Sequence, residues 1–83
     1  MIWPDWWSWE LELTPHLRKR MLDRSFSEIE LRLMLEIATR FHDNHEEGRY
    51  LIETTHGGRC WSVIVEPSAT DQTLIVVTAY PID

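Results

Sequence analysis

The dipeptide Gly57-Gly58 restricts the possible folds of this chain more than any other feature of the sequence. Apolar and polar residues alternate over residues 49–55 before it and 60–66 after it, a pattern typical of two strands joined by a two-residue turn. The turn sets the register, because a shift of one residue would move every side chain to the other face. The predicted apolar face pairs Thr54 with Trp61, Ile52 with Val63 and Tyr50 with Val65, and the more polar face pairs Arg49 with Glu66, Leu51 with Ile64 and Glu53 with Ser62.

Four of the five tryptophans crowd the first nine positions. An irregular start over residues 1–8 and a short strand over residues 8–13 are predicted, because apolar side chains alternate with polar ones at Trp7, Trp9, Leu11 and Leu13. We expect these large side chains to enlarge the core of a small domain. The alternation does not explain Trp3 and Trp6, which are therefore candidates for contact with a partner.

Two helices are predicted between this strand and the hairpin. Thr14 is a suitable N-cap and Pro15 suits the first helical position, so the first helix is expected to run from there to about residue 23 or 24. Ser27 with Glu30 forms a capping box for the second helix, with Ser25 and Glu28 as an alternative register.

The second helix is predicted to be long and to provide most of the helical core. Apolar residues recur at helical spacing at Ile29, Leu33, Met34, Ile37, Ala38 and Phe41, with Leu31 and Leu35 widening the stripe. The polar residues 42–47 and the stop signal Gly48 then end the helix.

A third C-terminal strand completes the predicted fold. Residues 74–80 begin with four consecutive apolar residues, as in a central, covered strand. The order β-α-α-β-β-β predicts a single α+β domain over residues 1–83, with two helices against an antiparallel sheet. Hydrophobic residues make up 43% and charged residues 27% of the chain, which is ordinary for a folded protein.

The single cysteine, Cys60, excludes an internal disulfide framework and favours a cytoplasmic location. No apolar run is long enough to predict secretion or membrane insertion. The net charge of −6 gives no long-range attraction to nucleic acid, so any such contact needs a local basic patch.

That patch is the first predicted helix, which holds four of the eight Lys and Arg residues. His16, Arg20 and Arg24 are each four residues apart and follow one edge of the apolar stripe at Leu17 and Met21. A histidine near a helix start suits a general base, and arginines suit phosphate oxygens, so this row could bind a phosphate group and transfer a proton beside it. The alternative is a surface histidine beside arginines that pair with Asp23, Glu28 or a carbonyl group.

Four short motifs lie in a fixed order along the chain: His16-x-x-x-Arg20-Met21-x-x-Arg24, Ser27-x-x-Glu30, Gly48-Arg49-Tyr50 and Val76-Val77-Thr78-Ala79-Tyr80. Together they resemble a widespread bacterial family that is described as a domain of unknown function and is related to the RelE and BrnT toxins of toxin–antitoxin systems. The resemblance covers about residues 9–81. It implies a RelE-like fold and a metal-independent ribonuclease that a small antitoxin protein neutralises.

The resemblance also implies roles for the last strand, where polar residues often take part in catalysis in this superfamily. Tyr80 is then a candidate acid or phosphate donor, and Thr78 a candidate substrate contact. Two differences stand out: family members commonly have Gly where this chain has Ser25, and the related toxins are usually basic.

Further polar residues of the predicted sheet could extend a basic groove for RNA. These are Arg49, His56 and Arg59, each of which also has an ordinary structural explanation in a turn or a cross-strand pair. The spacing of His42, Asp43, His45 and Glu46 suits a metal, but the chain has no second cluster, so neither a metal nor another cofactor is expected.

Two functions remain open. One is a toxin-like endoribonuclease whose partners are an antitoxin and RNA or the ribosome. The other is a non-catalytic protein-interaction or regulatory domain of the same fold. The sequence predicts no membrane partner and does not define the oligomeric state.

Overall fold

A five-stranded mixed sheet with two helices on one face forms the computed structural model, which describes residues 3–82. The elements in chain order are a 3₁₀ helix at Asp5–Ser8, β1 at Glu10–Leu13, α1 at Pro15–Asp23, α2 at Glu28–Glu36, β2 at Arg40–Asp43, β3 at Tyr50–His56, β4 at Arg59–Ser68 and β5 at Thr73–Pro81. The strands lie in the order β1-β5-β4-β3-β2, with β1 parallel to β5 and the other pairs antiparallel. The predicted α+β class and β-α-α-β-β-β order are confirmed, with β2 as an additional edge strand, but the sheet is mixed rather than wholly antiparallel because β1 pairs in parallel with β5.

The hairpin at Gly57-Gly58 has the predicted register. Thr54 lies opposite Trp61, and the five predicted pairs from Tyr50–Val65 to Thr54–Trp61 are all present. Arg49 lies just outside β3, and its side chain still bonds to Glu66 across the hairpin. The turn glycines have φ of 60° and 79°, the left-handed values that this kind of turn requires.

A β-bulge in β5 decides which way the end of that strand faces. Ile64 of β4 pairs with Thr78 of β5, but the next residue of β4, Val65, pairs with Val76. Val77 is therefore the extra residue of the bulge. Val76 and Ala79 are therefore both buried against the helices. Without the bulge, strict alternation from Val76 would have turned Tyr80 towards the core.

Helix α1 begins and ends close to the predicted positions. The Thr14 hydroxyl accepts a hydrogen bond from the Leu17 N–H at 3.0 Å, and Pro15 is the first helical residue. At the other end, the Phe26 N–H donates to the Met21 carbonyl at 3.0 Å and the Ser25 N–H to the Leu22 carbonyl at 3.4 Å. These two bonds, with Ser25 at φ 55°, form a Schellman motif.

Helix α2 has the predicted capping box but is shorter than predicted. Ser27 and Glu30 exchange both capping hydrogen bonds. The prediction that the helix reaches about Phe41 is wrong, because α2 ends at Glu36 and Phe41 belongs to β2. The Thr54 hydroxyl of β3 donates a hydrogen bond to the Met34 carbonyl. The Ala38 N–H donates to the Leu35 carbonyl at 3.3 Å, so the α-helical bonding pattern stops there.

The buried face of α2 also differs from the prediction. Leu31, Met34 and Leu35 are buried in the core, whereas Ile29, Leu33 and Ile37 are exposed. Both sets recur at helical spacing, so periodicity alone does not distinguish them. The described part of the chain, residues 3–82, has no helix long and apolar enough to cross a membrane.

The tryptophans of the N-terminal segment enlarge the core, as expected. Trp6, Trp7 and Trp9 pack against it, although the strand begins at Glu10 rather than at residue 8. Trp3 stacks on Trp7 with ring centroids 4.2 Å apart, so the candidates for a partner contact lie within an aromatic cluster of the chain itself. Residues 1 and 2 of the predicted irregular start lie outside the described residues.

Candidate functional site

Helix α1 closes one edge of the sheet. Because β1 ends opposite Val76, no strand within residues 3–82 pairs with this side of β5 beyond that point. Two side chains of the α1 segment bind the backbone there: the Thr14 hydroxyl donates to the Val77 carbonyl at 2.9 Å, and Arg24 Nη1 donates to the Ala79 carbonyl at 3.2 Å. They protect the carbonyl groups of an otherwise open strand edge and hold the helix along it.

The predicted row His16, Arg20 and Arg24 therefore borders the C-terminal half of β5. His16 is exposed, and its side chain has no hydrogen-bond or ion-pair partner among the described residues. Arg20 pairs with Asp23 at 3.6 Å, and Arg24 binds the Ala79 carbonyl. The arginines thus use two of the partners that the structural alternative named, although an exposed pair such as Arg20–Asp23 contributes little to stability.

Tyr80 and Thr78 lie on the other side of the sheet from α1. They pair with Ser62 and Ile64 of β4, whereas Ala79 between them faces the helices. The backbone at Ala79 thus contacts Arg24, while the Tyr80 side chain points to the face that no helix covers. The structure brings three of the four predicted catalytic residues together and separates the fourth from them.

The three predicted sheet residues do not form one groove. Arg49 precedes β3 and His56 ends it, and seven strand residues span about 20 Å. Arg49 bonds to Glu66 at 3.0 Å and to Glu46 at 2.8 Å, and the Glu66 hydrogen bond in particular raises the pKa of its guanidinium above the ordinary value.

His56 and Arg59 lie opposite each other at the hairpin turn. His56 Nε2 lies 3.7 Å from Glu30 Oε2 of α2, and its ring packs edge-on against Trp61 with centroids 5.5 Å apart. Arg59 is exposed. His56 therefore links the hairpin to the start of α2.

A polar cluster that sequence reasoning missed lies at the opposite edge of the sheet. His42 Nε2 lies 2.9 Å from Glu53 Oε2, and Arg40 Nε lies 3.9 Å from Glu53 Oε1. A histidine oriented by a carboxylate is a common proton-transfer arrangement. The prediction placed Arg40 and His42 at the end of α2, whereas their alternation with Phe41 is the signal of a strand.

This cluster is distant from the α1 row. β2 and β5 are three strands apart, about 14 Å at the usual strand spacing. The predicted spacing of His42, Asp43, His45 and Glu46 also does not converge. Within the described residues, no group of three or more His, Cys, Asp or Glu side chains is placed to hold a metal ion.

Comparison with known proteins defines the family. Residues 13–81 match the model of a family described as a domain of unknown function, DUF4258. No curated protein and no solved structure shows a significant match. The matched region begins at the last residue of β1 and contains both helices and strands β2 to β5. The chain therefore belongs to the DUF4258 family.

Proposed function

We propose that this protein is a toxin-like, metal-independent endoribonuclease of a bacterial toxin–antitoxin pair, neutralised by a small antitoxin protein. The four motifs of its sequence resemble a bacterial family of unknown function that is related to the RelE and BrnT toxins, which supports the proposal. The observation that carries it is the position of α1. An exposed histidine, His16, lies in the first turn of the most cationic segment, and that segment is anchored to β5 through Thr14 and Arg24.

In the proposed reaction, the 2′-hydroxyl of a ribose attacks the adjacent phosphorus and the 5′-oxygen leaves. A base removes the proton of the 2′-hydroxyl, an acid protonates the leaving oxygen, and cations stabilise the charge on the phosphate. His16 has no side-chain partner among the described residues, so its ring is available for proton transfer. The backbone N–H of His16 adds a further contact for a phosphate oxygen, whereas Pro15 has no N–H and the Leu17 and Arg18 N–H groups bond to Thr14.

Arg20 and Arg24 are the proposed phosphate contacts. The bond of Arg24 to the Ala79 carbonyl uses one guanidinium nitrogen, and a guanidinium has five N–H donors in total. The remaining donors of Arg24 can bind phosphate oxygens without releasing β5. The Arg20–Asp23 pair is exposed and long at 3.6 Å, so a phosphate can compete for Arg20.

Tyr80 and Thr78 have a different proposed role. Both lie on the uncovered face of β5, behind the edge that Arg24 protects. RNA that passes around this edge would meet the Tyr80 ring, which can stack on a base. Tyr80 thus contacts a nucleotide next to the cleaved one instead of protonating the leaving oxygen.

The charge distribution limits how this protein finds RNA. The α1 segment, residues 14–24, holds four of the eight cationic residues and one of the fourteen acidic ones, in a chain of net charge −6. Its attraction is therefore local, because salt screens exposed charges beyond about 8 Å. We propose that the ribosome or another scaffold positions the RNA.

The test is cleavage of total RNA and of ribosome-bound RNA by the purified protein in the presence of a chelator. His16→Ala is expected to lower the cleavage rate by about 100-fold or more, because a positioned proton-transfer group contributes at least that factor. His45→Ala, at an exposed histidine between β2 and β3, is the matched control and should keep the wild-type rate. The expected product ends are a 2′,3′-cyclic phosphate and a 5′-hydroxyl.

Equal cleavage by the wild type and His16→Ala would contradict the role of His16. If His42→Ala alone abolished cleavage, the reaction would belong to the His42–Glu53 cluster at the other edge of the sheet. Absence of cleavage by the wild type on both substrates would favour a non-catalytic interaction domain of the same fold. The apolar side chains that α2 leaves exposed are the observation that favours this second function.

A further inference from the structure

Helix α2 has a second apolar face that no part of residues 3–82 covers. Ile29, Leu33 and Ile37 are spaced four residues apart, so they lie side by side along the helix and its C-cap, and they are 72%, 52% and 56% exposed. Single exposed apolar residues are ordinary on protein surfaces. A continuous row of three large aliphatic side chains on one helix is typical of a surface that a partner covers.

A groove runs beside this row, between α2 and the end of β3. Leu33, Met34 and Ile37 form its helical wall, and residues 55–57 form the opposite wall. Its volume is about 240 Å³, below the range of about 300–1,000 Å³ that is usual for sites of small molecules. The groove suits a few inserted side chains of another protein better than a complete small ligand.

Acidic residues surround the apolar row. Helical spacing puts Glu28 and Glu36 on one side of the row, and Glu30 lies on the other side, in the wall of the groove beside His56. Glu28 is neutralised by Arg32 at 3.6 Å, but Glu36 has no ion pair among the described residues. The rim is therefore negative overall, in a chain whose net charge is −6.

We propose that this face, Ile29, Leu33 and Ile37 with the adjacent groove, binds an amphipathic helix of a partner protein whose apolar stripe is flanked by Lys and Arg. A helix that lies in an apolar groove places residues at i, i+3 or i+4 and i+7 against it, which matches the length of the row. A second copy of this chain would bring like-charged rims together in a symmetric contact. The inference goes beyond the proposed function because it does not require RNA cleavage.

The test uses the full chain and two synthetic helical peptides of about 18 residues, a length that supports a stable helix. Both peptides carry the same leucine stripe, flanked by lysines in one and by glutamates in the other. Binding is measured by titration calorimetry. The lysine peptide is expected to bind the wild-type protein. The double variant Leu33→Ser/Ile37→Ser should have at least tenfold lower affinity for this peptide.

Ile82→Ser is the matched control, because Ile82 is 57% exposed, almost the same as Ile37, and follows β5 away from α2. Its affinity for the lysine peptide should equal that of the wild type. Glu36→Lys should lower the affinity for the lysine peptide and raise the affinity for the glutamate peptide. Circular dichroism and urea unfolding verify that the variants remain folded, as their exposure leads us to expect.

Three results would overturn the proposal. These are no binding of the lysine peptide, equal binding of both peptides, and unchanged binding by the double variant. A concentration-dependent dimer that Leu33→Ser/Ile37→Ser abolishes would assign the face to a second copy instead. None of these variants changes His16, Arg20 or Arg24, so the outcome is separate from that of the RNA cleavage assay.

Discussion

The helices α1 and α2 have the same length of nine residues and both begin with a hydroxyl N-cap, but they are attached to the sheet by different means. α1 buries Leu17 in the core and is also tied to β5 by polar bonds from Thr14 and Arg24 to backbone carbonyls. α2 rests on β3 mainly through buried leucine and methionine side chains. The difference leaves polar groups available on α1 and an apolar row available on α2.

The two helices also end for different reasons. α1 ends within its own sequence, because Ser25 takes a left-handed conformation and the Schellman bonds close around it. α2 has no such residue at its end. It ends because β3 competes for its last turn: Thr54 bonds to the Met34 carbonyl, and the Thr39 N–H bonds to the Glu53 carbonyl at 2.9 Å.

These endings have different functional consequences. A helix whose ends are defined locally holds His16, Arg20 and Arg24 in a fixed row along β5. A helix whose end is defined by β3 places its outer apolar face directly beside the end of that strand, which forms the groove. The proposed chemistry and the proposed partner contact therefore lie on different helices and can be changed independently.

The largest expected effect tests which face of α2 is buried. Leu31→Ala should lower the free energy of unfolding by about 3 kcal/mol, because Leu31 is fully buried and its truncation leaves a cavity. Leu33→Ala should lower it by less than about 0.5 kcal/mol, because Leu33 already contacts solvent. Urea unfolding measures both values, and equal losses would contradict the described orientation of α2.

The sequence predicts those parts of the fold whose signals are local. Thr14, the Ser27–Glu30 capping box and Gly57-Gly58 each act over a few residues, and all three are found as predicted. The end of α2 depends on Thr54, twenty residues away from Met34, which no local pattern reveals. The strand β2 was missed for the same reason, since its pairing with β3 requires α2 to have ended.

The candidate site also contains some features that local sequence signals predict and others that depend on long-range pairing. The spacing of His16, Arg20 and Arg24 is local, so the sequence predicts their common edge. The face of Tyr80 depends on the bulge at Val77, which arises from the pairing of β4 with β5. The His42–Glu53 contact also joins two strands, so only the structure shows it.

The second largest expected effect concerns the two N-cap residues, Thr14 of α1 and Ser27 of α2. Thr14→Ala should lower the free energy of unfolding by about 1–2 kcal/mol, because it removes both the cap and the part-buried bond to Val77. Ser27→Ala should lower it by about 0.5–1 kcal/mol, because its capping bonds are exposed. Thr14→Ser keeps the hydroxyl and is the control. If Thr14→Ala and Ser27→Ala cost the same in urea unfolding, the bond to Val77 contributes nothing to stability.

The smallest effect is a gain in stability where α1 ends. Ser25 has φ 55°, a conformation that costs a residue with a side chain about 1 kcal/mol and costs glycine almost nothing. Ser25→Gly should therefore raise the free energy of unfolding by about 0.5 kcal/mol, since the added freedom of the unfolded chain offsets part of the relief. Ser25→Ala keeps the strain and should give no gain. If Ser25→Gly lowered the melting temperature, the end of α1 would depend on contacts beyond its own turn, as the end of α2 does.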